Sequence, residues 1–80
     1  MTKNEREFLN DVKDAVSDYD YSYEYYHENG AFCIDITIND LEEWGNNEND
    51  IWNDLEEVAN DWGAGLDSDT RWYYLALEKD

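Results

Sequence analysis

Apolar residues in the first part of the chain recur at helical spacing. Phe8, Leu9, Val12, Val16 and Tyr19 follow one another at steps of one, three, four and three, which places them on one face of a helix. Thr2 and Glu5 form a capping box, in which each side chain satisfies a backbone N–H that the first turn leaves unpaired. The pattern predicts a helix from about Lys3 to Asp18. The period then drops to two. Tyr21, Tyr23 and Tyr25 alternate with Ser22 and Glu24, and Phe32, Ile34, Ile36 and Ile38 alternate with Cys33, Asp35 and Thr37. Between the two runs stands Asn29-Gly30. Both residues tolerate positive φ, so the runs are expected to close as an antiparallel hairpin.

Asn39-Asp40 breaks the second strand. Leu41 to Trp44 reads as a short helical turn and Gly45-Asn46-Asn47 as a loop, with Asn47 or Asn49 capping a second helix. The apolar face of that helix is Ile51, Trp52, Leu55, Val58, Ala59 and Trp62, and Gly63 suits its left-handed C-terminal cap. Ala64 to Thr70 reads as a loop. A last strand is expected from about Arg71 to Glu78, with Tyr73, Leu75 and Leu77 on one face and Trp72, Tyr74 and Ala76 on the other. The order α-β-β-α-β predicts an α+β fold. It is a small two-layer sandwich, a three-stranded antiparallel sheet with two helices on one face, in a single domain over residues 1–80. The pattern leaves the strand order open.

Size makes the aromatic residues decisive. A chain of 80 residues buries only about 60% of its unfolded surface and leaves little room for a deep catalytic cleft. Four tryptophans, seven tyrosines and two phenylalanines supply the bulk of the core. Each aromatic side chain buries about 150–250 Å², enough for a handful to hold a small domain together. That content argues against the disorder that charge alone would imply.

The charge changes the picture most. There are 22 Asp and Glu against 5 Lys and Arg, for a formal net charge of −17. The bases are Lys3, Arg6, Lys13, Arg71 and Lys79, and none stands between Asp14 and Thr70. Self-repulsion on this scale opposes compaction, so the charge is either used or suited to high salt. With about 5,000 Å² of folded surface expected, there is roughly one net negative charge per 300 Å². Duplex DNA, taken as a cylinder of radius ~10 Å, carries about one per 100 Å². Gathered on one or two faces, the acids would approach that density.

The acids do fall in stripes. Asp50, Asp54, Glu57 and Asp61 sit at i, i+4, i+7 and i+11 on the second helix, and Glu7, Asp11, Asp14 and Asp18 repeat the offsets on the first. Such neighbours stand about 5–6 Å apart, and like charges at that distance destabilise a helix by a few tenths of a kcal/mol. Ordinary solvated faces mix signs, and these do not. Glu42, Glu43, Glu48, Asp67 and Asp69 extend the field through the remaining segments. Tyr26, Trp44 and Trp72 or Tyr74 fall outside the main core pattern, and Tyr and Trp are frequent interface anchors. The residues expected to meet a partner are therefore the two stripes together with Glu42, Glu43, Trp44 and Tyr26.

Other chemistry finds no support in the residues. Cys33 is the single cysteine, which excludes an internal disulfide and favours a reducing compartment. The opening residues carry no signal-peptide core, and no apolar run approaches the ~20 residues of a membrane span. His27 is the only histidine and is expected at the surface, with no nucleophile beside it in sequence. There is no Cys/His zinc set and no Gly-rich phosphate loop. Counted from Asn46, the residues Glu48, Asp50, Asp54 and Glu57 fall near calcium-loop positions, but Ile51 stands where the turn needs glycine. Paired carboxylates for glycoside hydrolysis would need a pocket that this domain has little room to hold. No cofactor, no metal and no enzymatic activity are expected.

Size, a charge of −17, the single cysteine, the absence of proline and acidic stripes on an aromatic core together make the chain resemble a known class. It is similar to the small acidic phage-encoded DNA mimics that inhibit bacterial defence nucleases, the anti-CRISPR and anti-restriction proteins. No single residue carries over by motif. The resemblance implies a stoichiometric inhibitor in the host cytoplasm. It would occupy the basic groove of a DNA-binding protein such as a Cas effector or a restriction enzyme, where Lys and Arg normally meet phosphates. It would bind neither nucleic acid nor membrane itself and would be a monomer or homodimer. The alternatives are a barstar-like immunity protein against a basic toxin nuclease, an acidic adaptor for histone-like proteins, and a halophilic domain. The asparagine content and the isoleucine-rich strand speak against the last.

Overall fold

The computed structural model describes residues 1–78; Lys79, one of the five bases, lies outside the described residues. Six elements follow in order: α1 (Lys3–Ala15), β1 (Tyr21–Glu28), β2 (Ala31–Ile38), α2 (Leu41–Trp62), β3 (Gly65–Asp69) and β4 (Trp72–Glu78). The fold is α+β, with an antiparallel sheet of four strands rather than three, in the order β1-β2-β4-β3. Among the described residues no helix is long and apolar enough to cross a membrane.

The expected capping box is formed. The Thr2 hydroxyl accepts from Glu5 N at 3.1 Å, and Glu5 Oε1 accepts from Thr2 N at 2.8 Å. Helix α1 stops at Ala15, short of Asp18. Val16 N and Ser17 N reach back only three residues, to Lys13 O and Asp14 O, and the Ser17 hydroxyl also donates to Asp14 O at 2.9 Å. These contacts tighten the last turn and end the helix, so Asp18 lies in the following turn.

Helix α2 begins seven or nine residues earlier than a cap at Asn47 or Asn49 would place it, and it runs unbroken for 22 residues through Gly45-Asn46-Asn47. Asp40 is its cap, accepting from Glu42 N at 2.9 Å and Glu43 N at 3.1 Å. Gly45 costs the helix about 1 kcal/mol relative to alanine. Tertiary anchoring offsets it, since Trp44 packs against the core and its indole N–H donates to the Tyr73 hydroxyl at 2.9 Å. Gly63 closes the helix at φ 65°, as its position implies.

The segment read as a loop contains strand β3. Gly65-Leu66-Asp67-Ser68-Asp69 has little strand propensity, yet it pairs with β4 from Gly65↔Ala76 to Asp69↔Trp72. The two-residue connection Thr70-Arg71, with Arg71 at φ 60°, brings it back beside a strongly β-forming partner.

One face of the sheet carries the core. Phe32, Ile34 and Ile36 of β2 stand opposite Leu77, Leu75 and Tyr73 of β4, and the two helices cover them with Phe8, Leu9, Val12, Val16, Ile51, Leu55 and Ala59. The other sheet face carries Tyr26, Cys33, Asp35, Trp72 and Tyr74 by register.

Candidate functional site

The acidic stripes meet. Helices α1 and α2 pack side by side, and the seam between them is a shallow groove of about 430 Å³ lined by Asp11, Asp14, Asp54, Glu57 and Asp61, with Ala15 and Val58 also in its wall. Each carboxylate is exposed. Sequence offsets explain the convergence. On each helix the acids occupy the flank next to the apolar stripe, so packing the two stripes onto one sheet turns those flanks toward one another.

A hydrogen bond holds the groove at one end. The Trp62 indole Nε1–H donates to Asp11 Oδ2 at 2.8 Å, while the Trp62 ring meets Phe8 edge-on at 5.7 Å. One carboxylate of α1 is thus fixed to the last turn of α2. Tyr19, just past α1, packs against the core outside the groove lining. Burial first, and then the charges of Asp50, Asp54, Asp18 and Glu43, push its hydroxyl above the ordinary tyrosine range. The charges of four of the expected acids thus bear on one half-buried tyrosine.

The remaining expected residues have other settings. Glu7 is exposed on α1, outside the groove lining. Glu42 is exposed in the first turn of α2, where a negative charge complements the helix dipole. Glu43 accepts from Asp20 N at 3.0 Å and joins the start of α2 to the approach to β1. Trp44 packs against the core through its bond to Tyr73 and does not stand free as an anchor. Tyr26 lies on the open face of the sheet, its hydroxyl 3.5 Å from Asp35 Oδ1.

The acids remain without local cations. Among the described residues no lysine or arginine nitrogen comes within 4.0 Å of a carboxylate oxygen, and the one contact of a carboxylate with a basic side chain at that distance pairs His27 Nε2 with Glu5 Oε2 at 2.9 Å. The groove carboxylates are strung along the two helices and do not gather round a single point. Among the described residues no group of three His, Cys, Asp or Glu side chains is arranged to hold a metal ion.

Two features escaped the sequence reading. Trp62 falls on the apolar face of α2 by its spacing, and only its place at the end of the helix hints that its N–H reaches α1. The open sheet face also carries acid: Glu24 stands directly opposite Asp35, and Asp67 opposite Tyr74. Strand alternation could have shown the first pair, whereas the second needed β3 to be recognised. No protein-family model matches the chain, and a comparison with curated proteins finds no match.

Proposed function

We propose that this protein is a stoichiometric inhibitor that imitates DNA and fills the basic nucleic-acid groove of a defence nuclease, of the Cas-effector or restriction type. The observation that carries the reading is the convergence of both helical acid stripes on one groove that no lysine or arginine enters. Spacings of about 5–6 Å between acids on one helix face resemble those of successive phosphates along a strand. The domain measures 38 × 20 × 18 Å, so its long axis compares with one turn of duplex, about 34–36 Å. The role needs no bond-making step and no cofactor, only electrostatic steering to a basic surface and occupancy of it.

A competition assay tests this. The double substitution Asp54→Lys with Glu57→Lys reverses two groove charges while leaving the apolar face of α2 untouched. It should fold normally by circular dichroism and lose inhibition of DNA binding by the partner that low-salt affinity capture identifies. A folded double variant with full inhibition would reject the groove as the contact surface. Direct DNA binding by the wild-type protein at moderate salt would reject mimicry itself.

A further inference from the structure

The free edge of β1 is built differently from the rest of the surface. β1 is the first strand of the sheet and pairs only with β2, through eight consecutive residues without a bulge. The hairpin turn has Asn29 at φ 52° and Gly30 at φ 80°, a tight two-residue connection that makes Glu28 and Ala31 a hydrogen-bonded pair. Antiparallel pairs alternate, so Ser22, Glu24 and Tyr26 also bond to β2. The bond from Asn39 N to Asp20 O, at 2.8 Å, follows the same parity. The N–H and C=O groups of Tyr21, Tyr23, Tyr25 and His27 therefore point outward from the sheet edge.

Natural edges are usually blunted by lysine, proline or a bulge. This edge has none of these within β1, and Tyr23 and Tyr25 are 40% and 48% exposed. It is also where the cations collect. Lys13 Nζ lies 3.4 Å from the Tyr23 hydroxyl and 4.6 Å from its ring centroid. Arg6, seven residues earlier, shares that flank of α1. The acids Asp11 and Asp14 occupy the opposite flank, toward α2. Helix α1 thus divides its charge, negative toward the groove and positive toward the edge.

We propose that β1 is a self-association edge, where two copies pair antiparallel about a twofold axis at Tyr25. The outward backbone groups require odd-numbered residues to stand opposite one another, and an axis at Tyr25 sets Tyr25 opposite the partner's Tyr25 and Tyr23 opposite the partner's His27. Glu24 then faces the partner's Tyr26, and Glu28 faces the partner's Ser22. Sliding by two residues in either direction, the nearest shifts that keep the outward groups bonded, sets Glu24 against the partner's Glu24 or the partner's Glu28, and like charges directly opposed are destabilising. The favoured register is the one that opposes no two carboxylates while keeping nearly the whole strand paired. Both copies keep their helices on the same side of the joined sheet. This inference stands whether or not the acidic groove meets a DNA-binding protein.

Sedimentation equilibrium on the full chain tests it. The mass should rise toward twice 9.5 kDa with protein concentration, and more readily as salt approaches about 0.5 M, because screening weakens the repulsion between copies. Tyr25→Pro removes an outward N–H that β2 does not use, so it should keep the monomer's circular dichroism and abolish the mass increase. Under oxidation Tyr25→Cys should cross-link two copies. Opposed residues of a hydrogen-bonded pair stand about 5.5 Å apart at Cα, within the reach of a disulfide. Tyr23→Cys, which faces the partner's His27, should not. A single-copy mass at every salt concentration overturns the proposal. So does association retained by a folded Tyr25→Pro variant, or equal cross-linking at both cysteine positions. Should Tyr25→Pro fail to fold, the cysteine pair decides alone.

Discussion

Trp62 and Asp11 are 51 residues apart in sequence and 2.8 Å apart in space, joined by the indole N–H and a carboxylate oxygen. The bond spans the seam between α2 and α1 and ties Asp11, a groove-lining carboxylate, to the end of α2. Trp62→Phe keeps the edge-on contact with Phe8 and removes only the donor. A hydrogen bond to a solvated carboxylate contributes about 1 kcal/mol, so the variant should unfold at slightly lower urea with an unchanged slope. Inhibition should weaken by more than stability does, since Asp11 is then free to turn away. Equal inhibition by both proteins would show that Asp11 need not be held.

Glu5 is the one buried charged side chain among the described residues. The Thr2 N–H first, and then His27, hold its carboxyl below the ordinary 4.5 against the opposing effect of burial. A carboxyl with a lowered folded pKa stabilises the fold above its unfolded value, and the gain disappears as pH falls through the folded value. Glu5→Gln retains a capping-box residue and loses the charge. The stability difference between wild type and this variant should shrink on acidification below about pH 4.5. Urea midpoints measured from neutral to acid pH check it; a difference independent of pH would reject the charge as its origin.

Tyr74 makes the matching prediction in alkali. Its hydroxyl lies 3.2 Å from the Cys33 thiol, and that hydrogen bond, followed by burial, raises its pKa from 10.0 to about 12. The neutral phenol is favoured in the folded state, so this contribution is complete below pH 10 and is lost as pH rises through about 12. Ultraviolet titration should show a late tyrosinate step that Tyr74→Phe deletes. Cys33→Ala should move the step back toward 10.0, and a step left at its original position would assign the shift to burial alone.

Which parts of this architecture the chain announces follows from how local their causes are. The capping box, the Asn29-Gly30 turn and the alternation of β2 are short-range, and each is found where its residues imply. The start of α2 is not, because Gly45-Asn46-Asn47 is locally a loop and becomes helical through a bond from Trp44 to Tyr73 across 29 residues. β3 is invisible for the same reason, its partner strand supplying what its own side chains lack. The groove was half legible. Each stripe could be read on its own helix, but their meeting depends on how the helices lie side by side.

Salt should act in opposite directions on the two properties that charge controls. Screening relieves repulsion among the 22 carboxylates, so the melting temperature should rise as salt increases to about 0.5 M, where the Debye length falls to a few ångströms. A fold that forms only in molar salt would point to a halophilic domain instead. Association with a basic partner should weaken with the same screening, chiefly through a slower steered on-rate. DNA has a further dependence, because much of its affinity comes from releasing condensed counterions. With 5041 Å² of accessible surface, the protein averages roughly one net charge per 300 Å², against about one per 100 Å² for duplex. A surface of lower density condenses fewer ions, so its binding should fall less steeply with salt than DNA binding at the same groove. The inhibitor should therefore compete better at physiological than at low salt. Half-inhibitory concentrations against a fixed DNA probe at the two salt levels measure this. If inhibition weakens faster than DNA binding does, charge imitation is the wrong account of the contact.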